Sequence, residues 1–584
     1  MSITIRRRSS EPVPDGMALP DSLHPLLQRL YWSRGIRTPE DLELNVKGLV
    51  DWHSLKDIDR AKSVIANAVV EGQRILIVGD FDVDGATSSA LALLALRAMG
   101  AASVDYLVPN RFGFGYGLTP GLVDIARQRS PDLLITVDNG ISSIDGVAAA
   151  VDAGMKVVIT DHHLPGDEIP AADAIVNPNQ SGCSFPCKST AGVGVIFYVI
   201  CAVRQALIER SWSFPHNSPP KLADFLDLVA LGTVADVVPL ESNNRILVHQ
   251  GIKRIRAGCS RPGILALIDM AGKPLSLLSA TDLAFALAPR LNAAGRLDDM
   301  SKGIELLITD DCDRARQLAT ELDALNRERR DIEGHMKDEA MALMARLQLN
   351  RSSLPSGLAL FHEQWHQGVI GILAARIKEH YYRPTVVFAP GANGEIKGSA
   401  RSIPGLHLRD ALGVVAARHP GLIVKFGGHA MAAGLTLRQE DFPRFAKLFD
   451  QTVQEILKPE QLEAVLVTDG ELQADHISLD TAELIRESGP WGQGFPEPLF
   501  DGLFLIEQQR LVGGKHLKMV VVPCSGNAPE EIGHGSIEAI CFSVDLQMWP
   551  QPQVDRVRLV YRLAVNHYRG RRTVQLIGDH IEPA

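Results

Sequence analysis

Ile75-Leu76-Ile77-Val78-Gly79-Asp80-Phe81-Asp82-Val83-Asp84-Gly85 is the stretch that decides how this chain is read. The apolar run at 75–78 predicts a strand and residues 86–99 predict a helix, so the order is strand, acidic loop, helix. In an open α/β sheet, ligands bind in the loops at the carboxyl ends of the strands. Asp80, Asp82 and Asp84 stand at alternate positions and repel one another near neutral pH unless a positive group sits among them. A divalent cation held by oxygen ligands is the simplest such group. A solvated acidic turn or a helix N-cap would use the same residue types.

Working outward, further strands are predicted at 104–108, 133–137, 157–160 and 174–176, separated by helical patterns. This alternation predicts a parallel sheet covered by helices on both faces. The run 133–137 leads into Asp138-Asn139-Gly140, 157–160 into Asp161-His162-His163, and a helix-like segment ending at Ala230 into Gly232-Thr233-Val234-Ala235-Asp236. Each has an ordinary use as a turn, a cap or a surface decoration. Their recurrence argues for a common site, because parallel strands deliver their loops to one edge of the sheet. Several carboxylates with an imidazole suit a pair of hard divalent cations, Mn²⁺ in particular, better than zinc. Two such ions about 3.5–4 Å apart activate a water and stabilise the attacking and leaving oxygens of a phosphoryl centre. The chemistry expected is phosphodiester or phosphoanhydride hydrolysis.

The rest of the chain divides by pattern. Residues 1–50 read as an extension with a short helix near 23–34 and no assigned chemistry, and 51–310 form the sheet-bearing lobe. In 311–350, Leu318, Leu322, Leu325, Ile332 and Met336 keep helical spacing through a charged, proline-free segment, which predicts one long helix. It serves either as a spacer between lobes or as a helix packed on the first. A smaller α/β lobe follows at 351–460, with strands at 358–361, 385–388 and 396–401 and helices at 369–379, 408–418 and 442–457. From 461 to 584 strand follows strand, at 503–508, 517–522, 539–542, 557–565 and 572–577, with one helix near 481–487. A small barrel of the OB type is expected there.

Composition sets outer limits. The chain is 584 residues long, which implies about three or four domains, and its 46% apolar and 22% charged content is that of a globular protein. No apolar run is expected to reach membrane-spanning length, and the basic Arg6-Arg7-Arg8 segment lacks the apolar stretch of a signal peptide. Seven scattered cysteines suit reduced thiols better than a disulfide framework. A formal charge of −10 excludes a surface that attracts nucleic acid everywhere but permits a local basic groove.

Asp161-His162-His163 is the signature triplet of the DHH phosphoesterases. The joint set DFDVDG, VDNG, DHH and GTVADVVPL, at residues 80, 137, 161 and 232, resembles the RecJ family of bacterial single-strand-specific exonucleases over nearly the whole chain. The resemblance implies a DHH domain at 51–310, a connecting long helix, a DHHA1 domain at 351–460 and a C-terminal OB-fold domain. It implies two Mn²⁺ or Mg²⁺ ions held by Asp82, Asp84, Asp138, His162 and Asp236, with Asp138 bridging. His163 would face the scissile phosphate, with Asp161 orienting a histidine. Asp80 is left as ligand or supporting carboxylate, because the pyrophosphatase branch has a ligand histidine where this chain has Val78.

Lys425-Phe426-Gly427-Gly428-His429 to Gly434 reads by composition alone as a tight strand connection lined with small side chains, but it resembles the DHHA1 motif, and the resemblance reverses that preference. By the resemblance Gly427, Gly428, His429, Ser399, Arg401 and Arg111 hold a 5′-terminal phosphate, for which Arg and Ser are chemically apt. Arg290 and Arg296 either line the route to the metals or make surface ion pairs. Lys515, His516 and Lys518, then Arg556, Arg558, Arg562, Arg569, Arg571 and Arg572, interleave with Tyr561 and Tyr568. This pattern predicts single-stranded DNA binding, with a solvated strand edge as the rival. The implied activity is 5′-to-3′ hydrolysis of single-stranded DNA to 5′-mononucleotides in recombination and repair, by a monomer in the bacterial cytoplasm at the nucleoid. Its expected partners are single-stranded-DNA-binding protein and a RecQ-type helicase, with no membrane involved. A phosphodiesterase for short oligonucleotides or cyclic dinucleotides and a non-catalytic replication scaffold are the alternatives.

Overall fold

A computed structural model describes residues 3–8, 19–20, 22–109, 117–346, 354–525, 528–529, 535–546, 548–568 and 570–584. The chain divides into two compact units. The larger holds residues 7–295, 299–322 and 467–584, and the smaller holds 1–6, 296–298 and 323–466.

After a first strand β1 (Ile3–Arg7), the larger unit is built on β2 (Arg74–Val78), β3 (Ser103–Leu107), β4 (Leu133–Val137), β5 (Lys156–Thr160) and β6 (Ala174–Val176). They form one sheet in the order β3-β2-β4-β5-β6, every pair parallel. Ile75 to Val78 and Leu133 to Val137 are almost wholly buried, as expected for strands covered on both faces. Leu76, Val78, Leu134, Val157 and Ile159 share a core with Leu122 and Val147 from the helices Pro120–Arg127 and Ile144–Asp152.

Behind the acidic loop the helix Val83–Ala98 packs on Gly192–Glu209 and Leu226–Ala235. Gly192–Glu209 corrects one expectation, since it is long and apolar enough to cross a membrane by composition. Most of it is buried inside the larger unit, which accounts for the apolar run.

The long helix is Cys312–Arg346, and the division between the units falls within it, after Leu322. Ala315, Leu318, Ala319 and Leu322 are buried. Met336, Ala340 and Met344 join a core with Trp365, Leu373 and Ile377 of the smaller unit.

There, β7 (Leu358–Phe361), β8 (Thr385–Pro390), β9 (Glu395–Arg401), β10 (Lys425–Gly428) and β11 (Ala432–Arg438) form a sheet in the order β10-β11-β9-β8-β7. Only the β7–β8 pair is parallel. Its second face is covered by the helices Leu408–Arg418 and Phe442–Ile456, with Phe388, Phe445 and Phe449 at the centre.

β12 (Ala464–Thr468) pairs with β1. The barrel comprises β13 (Phe500–Val512), β14 (His516–Ser525), β15 (Ala528–Pro529), β16 (Ile537–Cys541), β17 (Arg556–Tyr568) and β18 (Arg571–Pro583). The order is β13-β17-β18-β16-β14, and β14 pairs again with β13, so the sheet closes on itself. Closure removes exposed strand edges.

The N-terminal segment is integrated rather than merely appended. Arg34 donates to both carboxylate oxygens of Asp469, at 2.9 and 2.8 Å, with both side chains buried. Arg7 donates to Asp501 at 3.0 Å. Breaking a buried pair of this kind costs about 3–5 kcal/mol, so this segment contributes to the stability of the larger unit.

Candidate metal centre and strand-end site

The parallel sheet brings Asp80, Asp82, Asp84, Asp138, Asp161, His162 and His163 to one edge, and Asp236 reaches them from the C-cap of the helix Leu226–Ala235. Asp82 is the N-cap of the helix Val83–Ala98, its Oδ1 accepting the Gly85 N–H at 3.0 Å. Asp84, in the first turn of that helix, accepts the N–H groups of Gly192 at 2.7 Å and Val193 at 2.8 Å. It therefore caps a second helix across the core. Asp138 follows β4 at φ 62°, a left-handed conformation that Asp tolerates better than most residues. Its neighbour Asn139 donates to Val78 O and Val137 O, tying the ends of β2 and β4 together.

His162 lies at the focus. Its Nε2 is 3.1 Å from Asp138 Oδ1, 3.5 Å from Asp236 Oδ2 and 3.9 Å from Asp84 Oδ2. Three overlapping triplets, Asp138-His162-His163, Asp84-His162-Asp236 and Asp80-Asp82-Asp138, each place their ligand atoms within 4.8 Å of one another. Burial, then the charges of Asp84 and Asp82, push Asp138 well above the usual carboxylate range, and burial with the same neighbours does so for Asp236. Asp84 is raised to about 7 by burial and the charge of Asp82, against the two backbone hydrogen bonds it accepts. Carboxylates so placed hold protons or a cation, and hard oxygen donors with one imidazole fit Mn²⁺ or Mg²⁺.

Asp161 behaves differently. Burial works to raise its pKa, but the hydrogen bond and charge of His163 outweigh it and hold the carboxyl low. Its Oδ1 lies 2.7 Å from His163 Nδ1, and its oxygens accept the N–H groups of Ile141, His162 and His163. Burial opposes the charge on His163, yet Asp161 and then Asp236 and Asp80 raise its pKa to about 9.

Two residues outside the motifs, Asn177 and Asn179, donate to His163 O at 2.9 Å and His162 O at 2.6 Å and so fix the histidine backbone. They follow the end of β6, so the strand-end rule points to them. Gly192 is a third residue outside the motifs: a Cβ there would stand 2.6 Å from Asp138 Oδ1.

In the smaller unit, Ser399 and Arg401 lie on β9, and Arg401 Nη1 donates to Ser399 Oγ at 3.3 Å. The register Gly427↔Gly434↔Ser399 sets these three in one row across β10, β11 and β9. A Cβ on Gly427 would meet nothing within 4 Å, so the glycine leaves bare backbone in the same row as Ser399, two strands away. Gly428 has φ 143°, and His429 follows in the turn, its N–H donating to Ala432 O at 2.8 Å. The first turn of the helix Ile370–Tyr381 approaches the same place: a Cβ on Gly371 would stand 2.9 Å from Ser399 Oγ and 3.2 Å from Arg401 Nη2. A guanidinium, a hydroxyl, open backbone and a helix N-terminus are groups of the kind that bind anions. Arg111 lies outside the described residues. Arg290 and Arg296 share the helix Ala288–Leu297; Arg290 Nη1 donates to Ala286 O, and Arg296 Nη1 donates to Gly368 O at 3.2 Å.

On the barrel the expected basic stripe is largely paired. Lys518 contacts Glu538, Arg558 contacts Asp501, Arg562 contacts Asp579 and Glu497, and Arg572 contacts Glu483. Tyr561 is 1% exposed and packs against Phe500 and Phe504, so it belongs to the barrel core and is no stacking surface. Arg569 and the side chain of Tyr568 lie outside the described residues. Phe542 is an exposed ring on the barrel, 56% exposed and edge-on to His516 at 5.2 Å. Among the described residues Lys515 and Arg571 make no ion pair.

Residues 74–233 match the DHH family N-terminal domain, 354–455 the DHHA1 domain and 468–580 the RecJ OB domain. The single-stranded-DNA-specific exonuclease RecJ of Escherichia coli is 52% identical over 582 residues, covering 100% of this chain and 99% of that protein. The chain belongs to the RecJ family. Crystal structures of Thermus thermophilus RecJ with Mn²⁺ and with Mg²⁺ superpose with TM-scores of 0.76 and 0.70 at 28% and 26% identity. Each covers 96% of this chain, and 76% and 75% of the Thermus chain respectively.

Proposed function

We propose that the chain is a metal-dependent exonuclease specific for single-stranded DNA, hydrolysing phosphodiester bonds at a two-cation centre. The observation that carries the reading is the convergence of Asp84, Asp138 and Asp236 on His162 Nε2 at 3.1–3.9 Å, in a chain 52% identical to such an exonuclease.

Asp82, Asp84, Asp138, His162 and Asp236 would hold the two ions, Mn²⁺ or Mg²⁺, with Asp80 beside them. When bound, the ions supply Lewis acidity at the scissile phosphate. The remaining work falls to the chain. Asp161 engages His163 Nδ1 and so leaves Nε2 to donate to a phosphate oxygen. Asp161 favours the protonated form of that imidazole, which would stabilise charge developing on the phosphate.

In this reading Ser399, Arg401, Gly427, Gly428, His429 and Arg111 hold a 5′-terminal phosphate, Arg290 and Arg296 guide the strand, and hydrolysis runs 5′ to 3′ with release of 5′-mononucleotides. Segments 51–310, 351–460 and 461–584 act as catalytic, end-holding and strand-binding domains, the last offering Phe542, His516, Lys515 and Arg571 to DNA. The enzyme works as a monomer in the bacterial cytoplasm at the nucleoid, in recombination and repair. It consumes strands opened by a RecQ-type helicase and covered by single-stranded-DNA-binding protein.

Digestion of long single strands labelled at either end, with and without Mn²⁺, tests this. Mn²⁺-dependent release of the 5′ label as mononucleotide is expected. Early release of the 3′ label refutes the polarity, and faster turnover of a dinucleotide than of a long strand refutes the substrate class.

A further inference from the structure

The larger unit holds a cavity of about 420 Å³ whose lining shares no residue with the acidic cluster. It lies between the loop after the helix Pro25–Trp32, the N-terminus of the helix Ser242–Arg256 and the turn at Gly494-Phe495. Ile36, Pro239 and Leu240 give it apolar walls, and Arg245 lines it. Such a volume suits a small molecule.

Arg245 is 2% exposed. Its Nη1 donates to Asp41 O at 3.1 Å and its guanidinium sits 4.2 Å over the Phe495 ring, but its Nε has no partner. Among the described residues no carboxylate pairs with it, and burial pushes its pKa down. The other charges around the cavity are engaged. Arg34 is spent on Asp469, Asp41 accepts the N–H groups of Arg37 and Thr38, and the Glu241 carboxylate lies against the Cys187 thiol. Glu241 is also the N-cap of the helix Ser242–Arg256 but makes no capping hydrogen bond, so the positive end of that helix meets the cavity without an acceptor side chain. The charge of nearby Asp41 raises the pKa of Arg245, but burial outweighs that help, and a buried cation so incompletely balanced is unfavourable. An incoming anion would relieve the guanidinium and the helix end together.

We propose that this cavity binds a small organic oxyanion, a phosphate monoester or a carboxylate. The charged end sits between Arg245 and the first-turn amides of the helix, and the apolar remainder rests on Ile36, Pro239 and Leu240. None of these residues belongs to the hydrolytic machinery, so the site stands whether or not the proposed polarity and substrate hold.

The test uses the full-length, Mn²⁺-loaded protein and calorimetric titration with inorganic phosphate, deoxyadenosine monophosphate and N-acetyl-leucine, the last two separating the ligand sources. Wild type is expected to show saturable binding of the phosphate probes or of the carboxylate. Arg245→Met weakens that binding at least about tenfold, the order expected for a lost charge-assisted hydrogen bond. Ser242→Pro removes one first-turn N–H where Pro is well tolerated and weakens binding by a smaller factor, with exonuclease rates unchanged in both variants. Absence of saturable binding in wild type overturns the proposal. So does equal binding in wild type and both variants, which would put the anion at the metals, and if Arg245→Met does not fold, undiminished binding by Ser242→Pro is decisive.

Discussion

In the sequence, the acidic loops of the larger unit and the basic strands of its barrel look alike: each gathers charge of one sign beside apolar strands. In the structure they differ in company. Asp84, Asp138 and Asp236 face one another around a histidine, 3.1–3.9 Å from its Nε2, whereas Lys518, Arg558, Arg562 and Arg572 each face a carboxylate. Paired charges of the second kind are structural and contribute little net energy when exposed. Charges crowded with their own sign are costly, and a fold keeps them where something else supplies the balance.

The sharpest way to break this comparison is Asp138→Ala. Cleavage of single-stranded DNA should fall by about a thousandfold or more, a size expected when metal and transition-state contacts are lost, while DNA binding remains measurable in a filter or anisotropy assay. Retained cleavage would show the acidic cluster to be ordinary surface charge.

A second effect concerns pH. Carboxyls raised in the folded state bind more protons there than in the unfolded chain, so they lower stability as pH rises above the usual carboxylate range, up to about 7 for Asp84. Metal-free protein should therefore lose melting temperature between about pH 4 and 7. Mn²⁺ should restore it by several degrees, more at pH 7 than at pH 5, because ions bind the deprotonated ligands. His163 adds a loss of the same sign at higher pH: its raised pKa contributes stability below its ordinary value that is lost as pH climbs through about 9. A Mn²⁺ shift independent of pH would sink this account.

Next comes Tyr561→Ala, which as a core deletion should cost about 3–5 kcal/mol in urea unfolding. Any loss of DNA affinity should track the unfolded fraction. The smallest effects belong to Lys515→Ala and Arg571→Ala, which should leave melting unchanged. Each should weaken binding to single strands severalfold and lower the salt slope by roughly 0.7, as for one lost phosphate contact. Arg572→Ala, which frees Glu483, should change DNA affinity less than Arg571→Ala does.

Much of this was legible in the chain because it rests on local pattern. β-Branched runs followed by acidic or histidine loops place the parallel strands, and parallel topology alone sends Asp80, Asp138 and Asp161 to one edge. What escaped reading depended on distant partners or weak propensity. The pairs Arg34–Asp469 and Arg7–Asp501 join residues more than 400 positions apart, and no local pattern announces them. The β10–β11 hairpin is rich in glycine and alanine, poor strand formers, so it read as a connection. Tyr561 was misjudged by its charged neighbours although Val557, Leu559 and Leu563 share its two-residue period and are buried with it; alternation should have outweighed composition.

Gly192 carries a last consequence. Its Cα lies so near the Asp138 carboxylate that one methyl group has no room. Inactivation of this protein is therefore within reach of a change that touches no ionisable side chain, and a survey of natural variants confined to acids and histidines would overlook it.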